Sequence, residues 1–196
     1  MRITGGIRRG QKLVSWEETG IRPMRDFVRT ALFNILGNLL PGACFLDLFC
    51  GTGSVGLEAL SRGAEACVFI DSSAGACSIT RRNLDALGFL DRGKVIQADF
   101  AEGIDHLKRR GRTFDLVFAG PPYEKGLSEA ALPLLGEGRL VAADGLVVTE
   151  VYKKEKVASV YGRLIRTEER IYGDNMLVFY RAEGDNQSVN QPGQIE

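Results

Sequence analysis

Phe45-Leu46-Asp47-Leu48-Phe49-Cys50-Gly51-Thr52-Gly53-Ser54-Val55-Gly56-Leu57-Glu58 sets the architecture of the chain. The apolar run Phe45 to Phe49 gives way to a turn carrying Gly51, Gly53 and Gly56, and a helical pattern follows with Val55, Ala59 and Leu60 on one side. Strand, glycine turn and helix in that order predict a nucleotide-binding unit. Gly51 permits a tight bend or a positive φ, Gly53 lets a ligand approach bare backbone, and Gly56 lets the helix pack closely on the sheet.

Asp47 stands four residues before Gly51. A carboxylate there repels a pyrophosphate but suits a cationic amino-acid end, which favours S-adenosylmethionine over NAD. The next strand, Ala66 to Asp71, ends in an acid 24 positions after Asp47, placed to accept from both ribose hydroxyls of an adenosine; capping the following helix is its other reading. A third strand, Lys94 to Ala98, runs into Asp99-Phe100, a carboxylate for the exocyclic amine of adenine and a ring to stack on it. The fourth, Phe114 to Ala119, runs into Gly120-Pro121-Pro122-Tyr123. Two prolines hold an extended turn without N–H groups, so their carbonyls can accept from a base amine while Tyr123 stacks; a plain stiffened loop is the alternative.

With 196 residues, 44% hydrophobic and 26% charged, the chain reads as one domain of cytoplasmic type, without a signal peptide or a span long enough for a bilayer. Cys44, Cys50, Cys67 and Cys77 lack metal-ligand spacing and read as small hydrophobes, so no metal is expected. His106, the single histidine and a helix-surface residue in this reading, excludes a histidine triad or a multi-histidine metal site.

Residues 1–20 read as a basic β-hairpin arm, with Arg8, Arg9 and Lys12 among glycines and Arg22 and Arg25 just beyond. Net charge is zero overall, so this local excess is either a solvated face or a contact for a phosphate backbone. Val28, Leu32, Ile35 and Leu39 predict an amphipathic cover helix with Arg25, Asp26, Arg29 and Asn34 off its apolar stripe. A later helix carries Ala130, Leu134 and Leu135, a strand runs from Leu146 to Val151, and Arg163 to Tyr172 with Met176 to Arg181 forms a closing hairpin. The main domain spans 21–182, and the polar tail, 183–196, is expected to be disordered.

Taken together, Asp47-Leu-Phe-Cys-Gly-Thr-Gly-Ser, Asp71, Asp99 and the Pro-Pro-Tyr turn resemble class I S-adenosylmethionine-dependent methyltransferases acting on exocyclic amines. More narrowly, the chain is similar to the bacterial 16S rRNA (guanine-N2)-methyltransferase family of D type. The likeness rests on Met1-Arg2-Ile3, Arg22-Pro23, the run Asp26 to Leu36, Gly56 to Ala64 and Phe114 to Phe118, and it covers nearly everything up to Arg181. The resemblance implies a Rossmann-like α/β fold: a seven-stranded, mostly parallel sheet, its last strand antiparallel, helices on both faces and an N-terminal β-hairpin. It implies methylation of one guanine, position 966 of 16S rRNA, in the 30S subunit or an assembly intermediate; separately, the chain is expected to be a monomer. Carried over, Asp47, Gly51, Gly53 and Asp71 line the methionine and ribose ends of the cofactor, Asp99 the adenine, and Pro121, Pro122 and Tyr123 the base pocket, with Phe100 beside the adenine and Gly120 at the head of the turn as candidates from the residues themselves.

One position departs from the family: its turn opens with Asp or Asn, where this chain has Gly120. The missing acceptor leaves three outcomes open: another group substitutes, Glu124 being the nearest; the chain binds cofactor and methylates slowly; or Gly120 is an altered position. A weakly active or inactive cofactor- and RNA-binding assembly factor is the second functional reading. An NAD-linked oxidoreductase is the reading from another class.

Overall fold

A computed structural model describes residues 1–15, 24–122 and 126–184. Eight strands form one sheet, β1 (Cys44–Leu48), β2 (Ala66–Asp71), β3 (Gly93–Gln97), β4 (Phe114–Ala119), β5 (Val141–Tyr152), β6 (Val160–Tyr161), β7 (Leu164–Tyr172) and β8 (Asn175–Ala182), in the order β3-β2-β1-β4-β5-β8-β7-β6. β1 to β5 are mutually parallel, and β8 enters antiparallel between β5 and β7. The sheet exceeds the expected seven strands by the two-residue edge strand β6, whose pairing with β7 is too short for a periodic sequence signal.

Alternation along the strands builds a core on each face, as the parallel arrangement requires. Phe45, Phe69, Phe118, Val148 and Phe179 meet α1 (Asp26–Leu36), α2 (Ser54–Ser61) and α3 (Ala74–Leu87). Their neighbours Leu46, Ile70, Val117, Val147 and Tyr180 meet α4 (Phe100–Arg109) and α5 (Leu127–Gly136). On α5 the buried side is Ser128, Ala131, Leu132 and Leu135; Ala130, expected on the apolar side, is exposed and Leu134 half-buried.

The N-terminal segment is a looser object than the expected β-hairpin. A single antiparallel bridge joins Arg2 to Lys12, and a 3₁₀ turn at Gly6–Arg8 spans the gap. The segment folds over α2: Ile3 and Leu13 are buried, Ser61 Oγ donates to Gly5 O at 2.6 Å, and Arg8 N donates to Ser61 Oγ at 3.0 Å. This cover explains why all eight residues of α2 are buried, charged Glu58 included.

Glu58 organises a buried polar cluster under the arm. It accepts from Thr4 N and Thr4 Oγ1, both at 2.8 Å, and from Arg62 Nε at 2.7 Å. Arg29, which the helical pattern places off the apolar stripe, is fully buried. It donates to Arg2 O at 2.6 Å and Asp26 Oδ1 at 2.9 Å, with its Nε 3.8 Å from Glu58. A charge so enclosed is tolerable only with its partners in place.

Toward the C-terminus, Glu183 is still held, its N–H donating to Arg163 O at 2.9 Å. The sheet therefore claims the first residue of the expected tail; from 185 onward the tail lies outside the described residues.

Candidate active site

Parallel register brings Leu48, Ile70 and Ala119 level at the carboxyl edge of the sheet. The glycine turn, Asp71 and Gly120-Pro121-Pro122 therefore emerge side by side. Strand order reverses between β1 and β4, and open α/β sheets take ligands in the crevice at such a reversal.

Gly51 has φ 55° and donates its N–H to Asp71 Oδ2 at 2.8 Å. Asp71 Oδ1 accepts from Ser73 N at 2.9 Å, while the side-chain cap of α3 is Ser73, whose Oγ accepts from Ala76 N. Asp71 thus ties the turn to β2 instead of capping the helix. Each of its oxygens has one amide partner and retains acceptor capacity for a further hydroxyl donor.

The glycines divide their work differently from the sequence expectation. At Gly51 an added Cβ would meet nothing within 4 Å; at Gly53, φ 77°, it would lie 2.8 Å from Thr80 Cγ2. Gly53, the residue before α2, is backed by Thr80, whereas the Cβ direction of Gly51 is open. Thr80 also donates to Gly51 O at 3.0 Å. Gly56 packs on β2 as expected, its Cβ position 2.5 Å from Cys67 Sγ.

Asp47 is 1% exposed and accepts from Gly56 N at 2.8 Å. Burial pushes its carboxyl up to about 8, against the Gly56 N–H and with a smaller upward push from the Asp71 charge. It sits beneath the turn and supports the start of α2, in contrast to the open lining position that the resemblance implies.

At the far side of the edge, Phe49 adopts φ 67°, an uncommon conformation for a bulky residue, and its ring lies 5.3 Å from that of Phe100. Asp99 caps α4, its Oδ1 accepting from Ala101 N at 2.9 Å, and remains exposed beside this aromatic pair. Phe49 and Thr80 were not singled out by sequence reasoning. Helix periodicity explains a buried Thr80 equally well, and only the turn contact distinguishes it.

On the β4 side, Gly120 is half-buried, Pro121 buried and Pro122 exposed. Below them Thr149 Oγ1 donates to Ala119 O at 2.9 Å and lies 3.2 Å from Ser128 Oγ, which fixes the strand end. Tyr123 and Glu124 lie outside the described residues.

The basic residues separate into distinct groups. Arg9, Lys12 and Arg25 are exposed. Arg8 instead lies over the Phe89 ring at 5.7 Å with its Nε buried and unpaired, so it packs the arm onto the body. Arg22 lies outside the described residues.

Cys50, Cys67 and Cys77 are buried, Cys44 is half-buried, and all four are unbridged. Burial holds the Cys50 and Cys67 thiols well above their ordinary value, which disfavours a thiolate nucleophile. No cluster of three metal-binding side chains exists among the described residues. His106 is half-buried on α4, and no helix among the described residues is long and apolar enough to cross a membrane.

Comparison with known proteins agrees with this arrangement. Residues 1–181 match the family described as conserved hypothetical protein 95. A putative rRNA methyltransferase, YlbH, of Bacillus subtilis is 32% identical over 94% of this chain and 100% of its own length. Ribosomal RNA small subunit methyltransferase D of Escherichia coli K12 is 30% identical over 96% of this chain and 93% of its own. The solved structure of a putative methyltransferase, yhhF, from Escherichia coli superposes with TM-score 0.81 at 31% identity, covering 93% of this chain and 98% of that one. The chain belongs to the conserved hypothetical protein 95 family, together with the D-type small-subunit rRNA methyltransferases.

Proposed function

We propose that this protein transfers a methyl group from S-adenosylmethionine to the exocyclic N2 amine of a guanine in 16S rRNA, on the 30S subunit or an assembly intermediate. The observation that carries the reading is Asp71 at the reversal point of the sheet. Its two oxygens are each anchored by one backbone amide and stand beside the unobstructed face of Gly51. Adenosine hydroxyls fit that acceptor, and the Phe49–Phe100 pair with Asp99 offers stacking and an acceptor for adenine.

When bound, S-adenosylmethionine supplies an electrophilic methyl on a sulfonium. The lone pair of the guanine N2 is delocalised into the ring, and its proton is too weakly acidic for an ordinary side-chain base to remove before attack. The protein's contribution is therefore placement: Pro121 and Pro122 hold backbone carbonyls as acceptors for the amine hydrogens and favour its attacking geometry. The amine would gain its N–CH3 bond as the S–CH3 bond breaks, leaving S-adenosylhomocysteine, and would then release its proton to solvent. Exposed Arg9, Lys12 and Arg25 suit the RNA phosphates. Gly120 offers no side-chain acceptor and so favours one second reading, a slow or inactive cofactor- and RNA-binding assembly factor.

Titration with S-adenosylhomocysteine and, separately, with NAD tests the cofactor half of this reading. Binding of S-adenosylhomocysteine alone is expected. Binding of NAD without S-adenosylhomocysteine would replace it with an oxidoreductase.

A further inference from the structure

Asn83 sits on α3, 1% exposed, and uses both ends of its amide on two segments distant in sequence. Its Oδ1 accepts from Val14 N at 2.7 Å, and its Nδ2 donates to Val14 O at 3.1 Å and to Thr52 O at 3.0 Å. Val14 lies in the N-terminal arm two residues after Lys12, and Thr52 lies between Gly51 and Gly53 in the glycine turn. A second, weaker contact joins the same segments, Thr52 Oγ1 lying 3.9 Å from Met1 Sδ.

We infer that Asn83 is a positioning residue that links occupancy of the cofactor turn to the placement of the RNA-contacting arm, so that cofactor and RNA each tighten binding of the other. This rests on the functional reading above. The amide is satisfied at both ends only while arm and turn keep their mutual register. Shifting either segment strands a buried donor or acceptor, which is costly in an apolar interior. Thr52 belongs to the peptide run whose Gly51 end is tied to Asp71, so a ligand that fixes Asp71 and Gly51 also fixes the Thr52 carbonyl. Through Asn83 the same ligand fixes Val14, two residues after the exposed Lys12 of the arm. Both linked elements are backbone, so the device depends on position 83 and not on the identity of the side chains at 14 and 52. Coupling of this kind typically changes affinity by roughly 5 to 150-fold and is reciprocal.

The test measures the dissociation constant of S-adenosylhomocysteine with and without saturating immature small-subunit particles, in the parent, in Asn83→Ala and in Asn83→Asp. The aspartate keeps the acceptor for Val14 N and loses both donated bonds. The parent is expected to bind the nucleoside at least fivefold tighter with RNA present, and both variants to lose most of that factor while still binding each ligand alone. A factor unchanged in either folded variant, or absent from a parent that binds both ligands, overturns the inference. Amide exchange in the parent provides a readout independent of variant folding: the Val14 N–H is expected to gain protection on adding S-adenosylhomocysteine, and unchanged protection counts against the link. A parent that binds S-adenosylhomocysteine but no immature small-subunit particle refutes the functional reading instead.

Discussion

The ring of Phe118 fills the space that a side chain at Gly120 would need: a Cβ built on Gly120 would lie 2.6 Å from Phe118 Cε1 and 3.0 Å from Cζ. Phe118 is 4% exposed and packed among the residues facing α1, so it has little freedom to withdraw. The acceptor missing at the head of the Pro-Pro turn is thus matched to a large ring two residues earlier. Gly120→Asp alone is expected to lower stability by about 1 to 3 kcal/mol through overpacking. Combined with Phe118→Leu, which opens the space, it is expected to raise the single-turnover rate with little effect on cofactor affinity, as a transition-state acceptor should. Thermal melts and single-turnover kinetics of the two variants check this; a single variant as stable as the parent would show that the ring moves freely.

Asp71 holds Gly51 and, in the function proposed above, also accepts from the cofactor. Asp71→Ala is expected to weaken S-adenosylhomocysteine by about 1 to 3 kcal/mol through loss of charge-assisted hydrogen bonds. Calorimetry giving equal affinity would remove Asp71 from the cofactor site.

Asp47 makes stability depend on pH in a defined direction. Its folded-state value of about 8 exceeds the ordinary 3.8, so between these values the folded protein holds a proton that the unfolded chain has released. Stability from this group is complete below about pH 4 and is lost as pH rises toward 8, by up to ~1.4 kcal/mol per pH unit. Asp47→Asn, which keeps an acceptor for Gly56 N, is expected to flatten urea-unfolding stability across that window. Parallel pH profiles for variant and parent would contradict the assignment.

Removing the exposed charges Arg9, Lys12 and Arg25 is expected to reduce the slope of log affinity for RNA against log salt by about 2 to 3 units, leaving S-adenosylhomocysteine binding unchanged. Filter binding across a salt series measures both slopes. Equal slopes would return these residues to a solvated face.

What the sequence made legible was local. The run Phe45 to Glu58 carried strand, turn and helix in its own periodicity, and Asp71 followed from its place at the next strand end. What it hid came from contacts across long separations. Arg29 looks solvent-facing by helical spacing, yet Arg2 and Glu58 enclose it because the arm folds over both helices. Asn83 has no local signal, since its partners lie 69 and 31 residues away. Sequence order places Asp47 before the turn and Gly53 within it, but only the folded contacts show Gly56 N bonded to the Asp47 carboxyl and Thr80 filling the Cβ direction of Gly53.

The central claim is chemical, and nucleoside-resolved methyl transfer tests it most directly. Immature small-subunit particles are incubated with the protein and S-adenosylmethionine labelled with tritium on the methyl group, and the RNA is then digested to nucleosides. Label in N2-methylguanosine, lost in Asp71→Ala, is the expected result. Label on another nucleoside, or none from a protein that still binds S-adenosylhomocysteine, would contradict it.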